Sequence, residues 1–391
     1  MVEPATKFKK LLKLLRIELL RSIRRPAGIL AVVGAAGLIT LKVLRQILAV
    51  APAGHINAGV PRAGRTYFFS VGDFGVSACE TAFKENQLES GGGIGHYSCS
   101  ADNQRRVAAA MEHLAKGLQP KFILSLGDNF YIRGVKDSED PQFEESFEKI
   151  YSYGHLKEIP WQITLGDHDH RGNISALLLR PQRNPRWRLP SPYYTFELPA
   201  GNRQVRFLIL DSVGLEGGML AHTPKGRRFE QDLSEDFAGR KAGEAQWGWL
   251  SRTLAGEDES DDEASLQVVV GHRPIRSLAD RGKYGSAPPE AAVAEALKAA
   301  LVKASKPVVY LHGHDHVMQH FRESGQEVHH LGNGVGGMGL HPLKNCSNCS
   351  EFQWGTSAHG FAVHELAKNF LATHFVDAMT QQVLHTVTIP F

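Results

Sequence analysis

From Thr66 onward, short apolar runs recur at intervals between polar stretches: TYFFSV (66–71), KFILSL (121–126), WQITL (161–165), VRFLIL (205–210), LQVVV (266–270) and PVVYL (307–311). Each is too short for a buried helix and continuous enough for a strand covered on both faces. Between them, NQRRVAAAMEHLAKG (103–117) and PEAAVAEALKAALVKAS (289–305) place apolar residues at helical spacing, the first running into Gly117. Buried strands alternating with amphipathic helices predict an α/β sheet. After residue 325 the pattern changes to glycine-rich turns and the runs GFAVHEL, NFLATHFV and QVLHTVTI, which predict antiparallel strands with few helices between them.

The N-terminal part follows another pattern. Lys7, Lys9, Lys10, Lys13, Arg16, Arg21, Arg24 and Arg25 face only Glu3 and Glu18 within the first 25 residues, so the rest of a chain of net charge +3 is acidic. That balance removes the support for a nucleic-acid partner. Residues 1–26 read as a basic amphipathic segment, and Ala27 to Val50 as a membrane anchor or uncleaved signal-anchor, with Lys42 and Arg45 near its far end. A cleaved signal peptide ending near AVAPAG and an organelle transit peptide are the alternatives. Residues 51–65 form a linker and 66–391 the catalytic domain, expected across the membrane from the basic end, in a lumenal or extracellular setting.

Four cysteines, Cys79, Cys99, Cys346 and Cys349, suit one or two disulfides in an oxidising compartment, and Asn173, Asn345 and Asn348 head glycosylation sequons. The acidic run 256–264 reads as a solvated loop, and the polar insertion 217–245 as a lid or surface excursion in which His222 is exposed.

The chemistry sits at the ends of the strands. GDFG (Asp73), GDNFY (Asp128, Tyr131), GDHDH (Asp167, His168), GHRP (His272) and GHDH (His314, His316) each follow a buried run directly. Five such tips bring carboxylates and imidazoles together at the carboxyl edge of a sheet, where α/β proteins build their sites. That donor mixture suits two metal ions sharing one bridging carboxylate.

These blocks resemble those of the calcineurin-like metallophosphoesterases, over about 320 residues from Thr66 to near the C-terminus. Most of that superfamily carry a histidine where Gly75 stands here, and this chain instead has Tyr131 after its second aspartate. That exchange marks the purple acid phosphatases. FILSLGDNFYIRGV, GDHDHRGNISA, RWRLPSPYYTF and LHGHDHVMQHF are similar to their small, tartrate-resistant branch.

The resemblance implies a four-layer α/β-β/α sandwich of two mixed sheets and hydrolysis of phosphomonoesters by in-line attack of metal-bound hydroxide. Asp73, Asp128, Tyr131 and His316 would hold Fe(III). Asp128, Asp167, His272 and His314 would hold Fe(II), Zn(II) or Mn(II), with Asp128 as the bridge. His168 would touch the phosphate and protonate the leaving oxygen. Substrates would be phosphorylated small molecules or phosphoproteins. A phosphodiesterase or protein phosphatase, and a low-activity phosphatase-like binding protein, are the competing readings. The last draws on Asp167, which stands where the family has asparagine. An added negative charge ~5 Å from an anionic phosphate costs on the order of 3 kcal/mol at an effective dielectric of ~20, so Asp167 is expected to weaken phosphate binding unless Arg171 and Arg273 offset it. Asp169, His170 and Asp315 are expected beside the ligands, Phe74 and Phe130 as walls, and His320, His329 and His330 as surface or core.

Overall fold

The computed structural model describes residues 62–77, 100–219, 235–257, 264–281, 288–323, 325, 328–346 and 349–391. The basic segment, the expected anchor, most of the linker, Cys79, Cys99, His222 and Asn348 lie outside the described residues. Among the described residues no helix is long and apolar enough to cross a membrane.

Among the described residues fourteen strands form two seven-stranded sheets. The first sheet takes β1 (Thr66–Val71), β2 (Ile123–Ser125), β3 (Trp161–Gln162) and β4 (Trp187–Arg188), and then the three C-terminal strands β12 (Gly360–Ala367), β13 (Phe370–Asp377) and β14 (Val383–Pro390). Its order is β14-β13-β12-β1-β2-β3-β4, parallel from β1 to β4 and antiparallel from β1 to β14. The second takes β5 (Tyr194–Ala200), β6 (Arg203–Ile209), β7 (Ala264–Val270), β8 (Val308–His312), β9 (Met318–Arg322), β10 (Val328–Asn333) and β11 (Phe352–Thr356), in the order β11-β9-β10-β8-β7-β6-β5. All six apolar runs are strands, and the three C-terminal ones pair antiparallel as their alternation predicts. The sequence reading did not separate β4, β5, β9, β10 or β11, whose polar positions break the apolar pattern.

The sheets face each other across one apolar core. Phe68 on β1 meets Phe207 on β6 edge to face at 5.3 Å, and Trp354 on β11 meets Phe375 on β13 at 5.2 Å. Helices cover the outer faces. Helix α1 (Ala101–Leu118) lays Val107, Met111 and Leu114 onto the first sheet, and ends where Gln119 turns into the left-handed region at φ 49°. Helices α2 (Arg240–Ala255) and α3 (Pro288–Val302) pack Leu250, Leu254, Leu297 and Leu301 against Leu208, Val269 and Tyr310 of the second sheet. Cys346 and Cys349 form a disulfide in the loop before β11.

A chain of imidazoles also joins the sheets. His385 on β14 contacts His320 on β9 at 3.1 Å, and the other nitrogen of His320 contacts His329 on β10 at 3.0 Å. Burial, with His329 and His385 adding to it, pushes His320 down to about 2, and burial pushes His385 down to about 4. An unfolded histidine titrates near ~6.5, so the stability these neutral rings contribute is complete above that pH and is lost as pH falls through the window toward 4. Thermal unfolding should therefore show the Tm of His385→Gln falling by about 2 °C less than the parent's between pH 7 and pH 5, after discounting for the half-exposed ring. Parallel curves would mean that this contact does not titrate on unfolding.

Candidate dinuclear metal site

The loops after β1, β2, β3, β7 and β8 converge on one edge, and a glycine precedes the polar residue at each tip. Crowding explains two of these glycines. A Cβ on Gly127, at φ +92°, would sit 2.5 Å from the His272 ring, and one on Gly166 would sit 2.2 Å from the Asp128 carboxylate. Asp73, Asp128 and His314 hold φ of 59°, 53° and 67°. The left-handed region is costly for residues with a Cβ and clusters at functional sites.

Two donor sets result. In the first, the Tyr131 hydroxyl lies 2.9 Å from Asp73 Oδ1, 2.9 Å from Asp128 Oδ2 and 3.5 Å from His316 Nε2, while His316 Nε2 is 3.3 Å from Asp73. In the second, ligand atoms of Asp128, Asp167, His272 and His314 all lie within 4.8 Å of one another. Asp128 faces both, with Oδ2 on Tyr131 and Oδ1 3.3 Å from His272 Nε2. The Nδ1–H of His272 donates to the Leu126 carbonyl (2.8 Å) and that of His316 to the Gly339 carbonyl (2.6 Å), which leaves each Nε2 lone pair turned inward.

Electrostatics fit a cationic occupant. Burial, then Asp128 and Asp73, drives the Tyr131 phenol well above its usual range, so ionising it requires positive charge beside it. Three buried carboxylates and a phenol, with one imidazole in the first set and two in the second, match a borderline or hard metal. Gly75 also belongs to this account. A Cβ there would stand 1.7 Å from the Asn129 carbonyl, whereas the Gly75 carbonyl accepts from Tyr131 N–H at 2.9 Å. The backbone that admits the tyrosine leaves no room for a side chain at 75.

His168 lies beside the bridge. Its N–H donates to Asp128 Oδ1 at 2.9 Å, its ring packs 4.3 Å from that of Tyr131, and its Nε2 stands 4.0 Å from Asp128 Oδ2. Burial pushes it down to about 4, against Asp128, with Arg171 acting in the same direction as burial.

Around these groups the expected supports take definite roles. Asp169 accepts from the N–H groups of Asn129 (3.1 Å) and Gly166 (2.9 Å) and from the Asn129 amide (2.8 Å), which ties the β2 and β3 tips together. His170 pairs with Asp211 at 2.9 Å, and Asp315 with Arg281 at 3.3 Å. Phe74 and Phe130 are fully buried in the aromatic core against Trp161 and Trp187, behind the site, and do not wall it. His320, His329 and His330 are interior, the last on Glu323 at 3.1 Å. The Asn173 side chain accepts from Ala176 N–H at 3.1 Å and donates to the Lys136 carbonyl at 3.2 Å.

Asp167 has more company than its sequence neighbours suggest. Arg171 donates to its Oδ2 at 3.0 Å, Arg273 stands 3.8 Å from Oδ1, and His314 Nδ1 and His272 Nε2 lie 2.9 and 3.2 Å from Oδ1. Burial alone would raise this carboxyl, but Arg273, His314 and His272 hold it well below the carboxylate range. Two guanidinium groups thus meet the charge that the sequence reading counted as a handicap to phosphate binding. Sequence reasoning missed the outer partners. Glu216 takes Arg273 Nε at 3.0 Å, Glu290 takes Arg281 at 2.8 Å, and Ser212 Oγ accepts from the N–H of His272 (3.0 Å) and Arg273 (2.9 Å). FLILDS was a visible signal for Asp211 and Ser212, another buried strand ending in an acid. Glu216, Arg281 and Glu290 stand at no strand tip, Glu290 in the first turn of α3, so no such signal marks them.

Residues 71–318 match the calcineurin-like phosphoesterase family. The chain is 31% identical over 308 residues to tartrate-resistant acid phosphatase type 5 of Homo sapiens, spanning 74% of this chain and 85% of that protein. Among solved structures it is similar to GAP50, the anchor in the inner membrane complex of Plasmodium, with a TM-score of 0.62 and 25% identity over 84% of this chain and 89% of that one. It shares the fold of purple acid phosphatase PPD1 from yellow lupin, with a TM-score of 0.53 and 16% identity over 85% of this chain and 55% of that one. The chain therefore belongs to the calcineurin-like phosphoesterase family, among its purple, tartrate-resistant acid phosphatases. Members bind two metal ions, and the Asp/His cluster is this chain's candidate for one of them.

Asp169→Ala removes the bonds that tie the two ligand loops and leaves buried N–H groups without acceptors. Urea unfolding of the metal-free protein should show a loss of about 3 kcal/mol. A loss below about 1 kcal/mol would show that the loops are held by other contacts.

Proposed function

We propose that this chain is a phosphomonoesterase using two metal ions, Fe(III) on the tyrosine side and Fe(II), Zn(II) or Mn(II) on the other, with phosphorylated small molecules or phosphoproteins as substrates. The observation that supports this most is the pair of donor sets sharing Asp128. Bound metals would supply Lewis acidity and an activated water at the phosphorus. The chain's own residues would do the rest. Asp73, Tyr131 and His316 hold one site, Asp167, His272 and His314 the other. His168, beside the shared carboxylate and not needed as a ligand, would contact the phosphate through Nε2, and because burial pushes it down to about 4 it would carry a proton for the leaving oxygen only in acid. Arg273, with His314 and His272, keeps Asp167 ionised, and Arg171, 3.0 Å from its Oδ2, helps offset its charge. Ala27 to Val50 would tether the domain to a membrane, a proposal that rests on the sequence alone.

The likeness to GAP50 favours a second reading, in which the domain serves as an anchor and its phosphatase chemistry is weak or lost. Turnover of 4-nitrophenyl phosphate by the metal-loaded protein separates the two, since the anchor reading alone requires none.

Two substitutions test the assignment of ligands. Tyr131→Phe removes only a hydroxyl, so the ferric-loaded protein should lose its visible phenolate-to-iron band while keeping its far-ultraviolet dichroism; an unchanged spectrum in a loaded sample would remove Tyr131 from the metal. Asp167→Asn keeps an oxygen donor but loses the charge that faces the second site. Competitive titration with Zn(II) should show its affinity reduced about tenfold, in the range of lost partners around a metal. Unchanged Zn(II) affinity with faster turnover would restore the view of Asp167 as a handicap.

A further inference from the structure

Beside His168 a cavity of about 300 Å³ opens between the loop after β2 and the loop after β3. Arg171 is one of its lining residues, and its guanidinium reaches Asp167 at 3.0 Å and His168 at 3.2 Å, so one lining side chain also touches the proposed reacting centre. Its floor is tightly stitched. Asn173 N–H donates to the Val135 carbonyl at 2.7 Å, and the Asn173 amide donates to the Lys136 carbonyl at 3.2 Å. A Cβ on Gly172 would stand 2.6 Å from the Val135 carbonyl, so the two loops touch through bare backbone.

Arg133 and Lys136 line this cavity, are exposed, and have no ion-pair partner among the described residues. This sets them apart from Arg171, Arg273 and Arg281, each of which is spent on a carboxylate. The one carboxylate in the lining, Asp140, accepts from the N–H groups of Lys136 (2.7 Å) and Gln142 (2.9 Å), which holds it to the loop. An open surface cavity lined by two cations with no ion-pair partner among the described residues, beside a guanidinium that also touches His168, suits an anion.

We propose that Arg133 and Lys136 form an anion subsite for the part of the substrate beyond the scissile phosphate, so that the enzyme prefers phosphomonoesters whose leaving group carries a second anionic group, a carboxylate or a second phosphate. This rests on the phosphomonoesterase reading. Arg171 forms the boundary between the two anion positions.

Calorimetric binding to the metal-loaded full chain tests it without turnover, using phenylphosphonate, 3-carboxyphenylphosphonate and benzene-1,3-bisphosphonate. The parent should bind at least one of the doubly substituted ligands about fivefold more tightly than phenylphosphonate, the scale of two exposed ion pairs, with the gain shrinking at high salt. A gain with the carboxylate extends the subsite to carboxylates, and a gain only with the bisphosphonate restricts it to a second phosphate. In Arg133→Ala/Lys136→Ala the gain should fall below about twofold, and Arg133→Lys/Lys136→Arg should keep it. Equal affinity of the parent for all three ligands, or a gain that survives the alanine pair, overturns the subsite. Failure of the same preparation to turn over phenyl phosphate would bear on the phosphomonoesterase reading and leave the binding comparison to decide the subsite.

Discussion

The Asp128 carboxylate is the group on which the rest of the site depends. Nearly all of it is buried, and its two oxygens face different donor sets, one toward Tyr131 and the other toward His272. A charge in that position is tolerable only if everything around it is arranged to compensate it. The left-handed backbone at Asp128, the bare glycines at 127 and 166, and the clamp from Asp169 to Asn129 and Gly166 all serve to bring positive and donor groups within reach of that carboxylate. The two mixed sheets contribute by ending their central strands on one edge, and their aromatic core keeps those ends from shifting.

Charge compensation extends outward as alternating pairs. Arg171 and Arg273 flank Asp167, Glu216 and Glu290 hold Arg273, and Arg281 lies between Glu290 and Asp315. The carboxylates are buried and the guanidinium groups partly so, and removing an arginine would leave a buried carboxylate uncompensated, which costs far more than the pair itself contributes. Within this network a carboxylate at position 167 is a balanced component. Its effect on phosphate cannot be read from its own charge, because two guanidinium groups stand 3.0 and 3.8 Å from its oxygens and offset that charge.

Compensation also shows where cations are left over. Arg133 and Lys136 stand outside the network, on a floor fixed by backbone contacts between the β2 and β3 loops. Cations already paired with carboxylates hold ligands in place, whereas unpaired cations beside a cavity are available to a substrate.

Much of the fold and the inner site was legible in the sequence, because both are written in local patterns. Continuous apolar runs of five or six residues became strands, helical spacing became α1 and α3, and the Gly-Asp and Gly-His pairs at 72, 127, 166, 271 and 313 that directly follow such runs became strand tips. Asp73, Asp128, Tyr131, Asp167, His168, His272, His314 and His316 all lie at that edge, since a strand's end is a place that sequence can mark. The strands β4, β5, β9, β10 and β11 were not separable, because their faces mix polar and apolar residues according to what covers them. The partners of Asp167, the imidazole chain between the sheets and the placement of Phe74 and Phe130 in the core were decided by tertiary structure alone. Glu290 meets His314 at 3.3 Å and His385 meets His320 at 3.1 Å only because separate loops and both sheets fold onto one another, and no spacing along the chain encodes a contact between residues brought together from different layers.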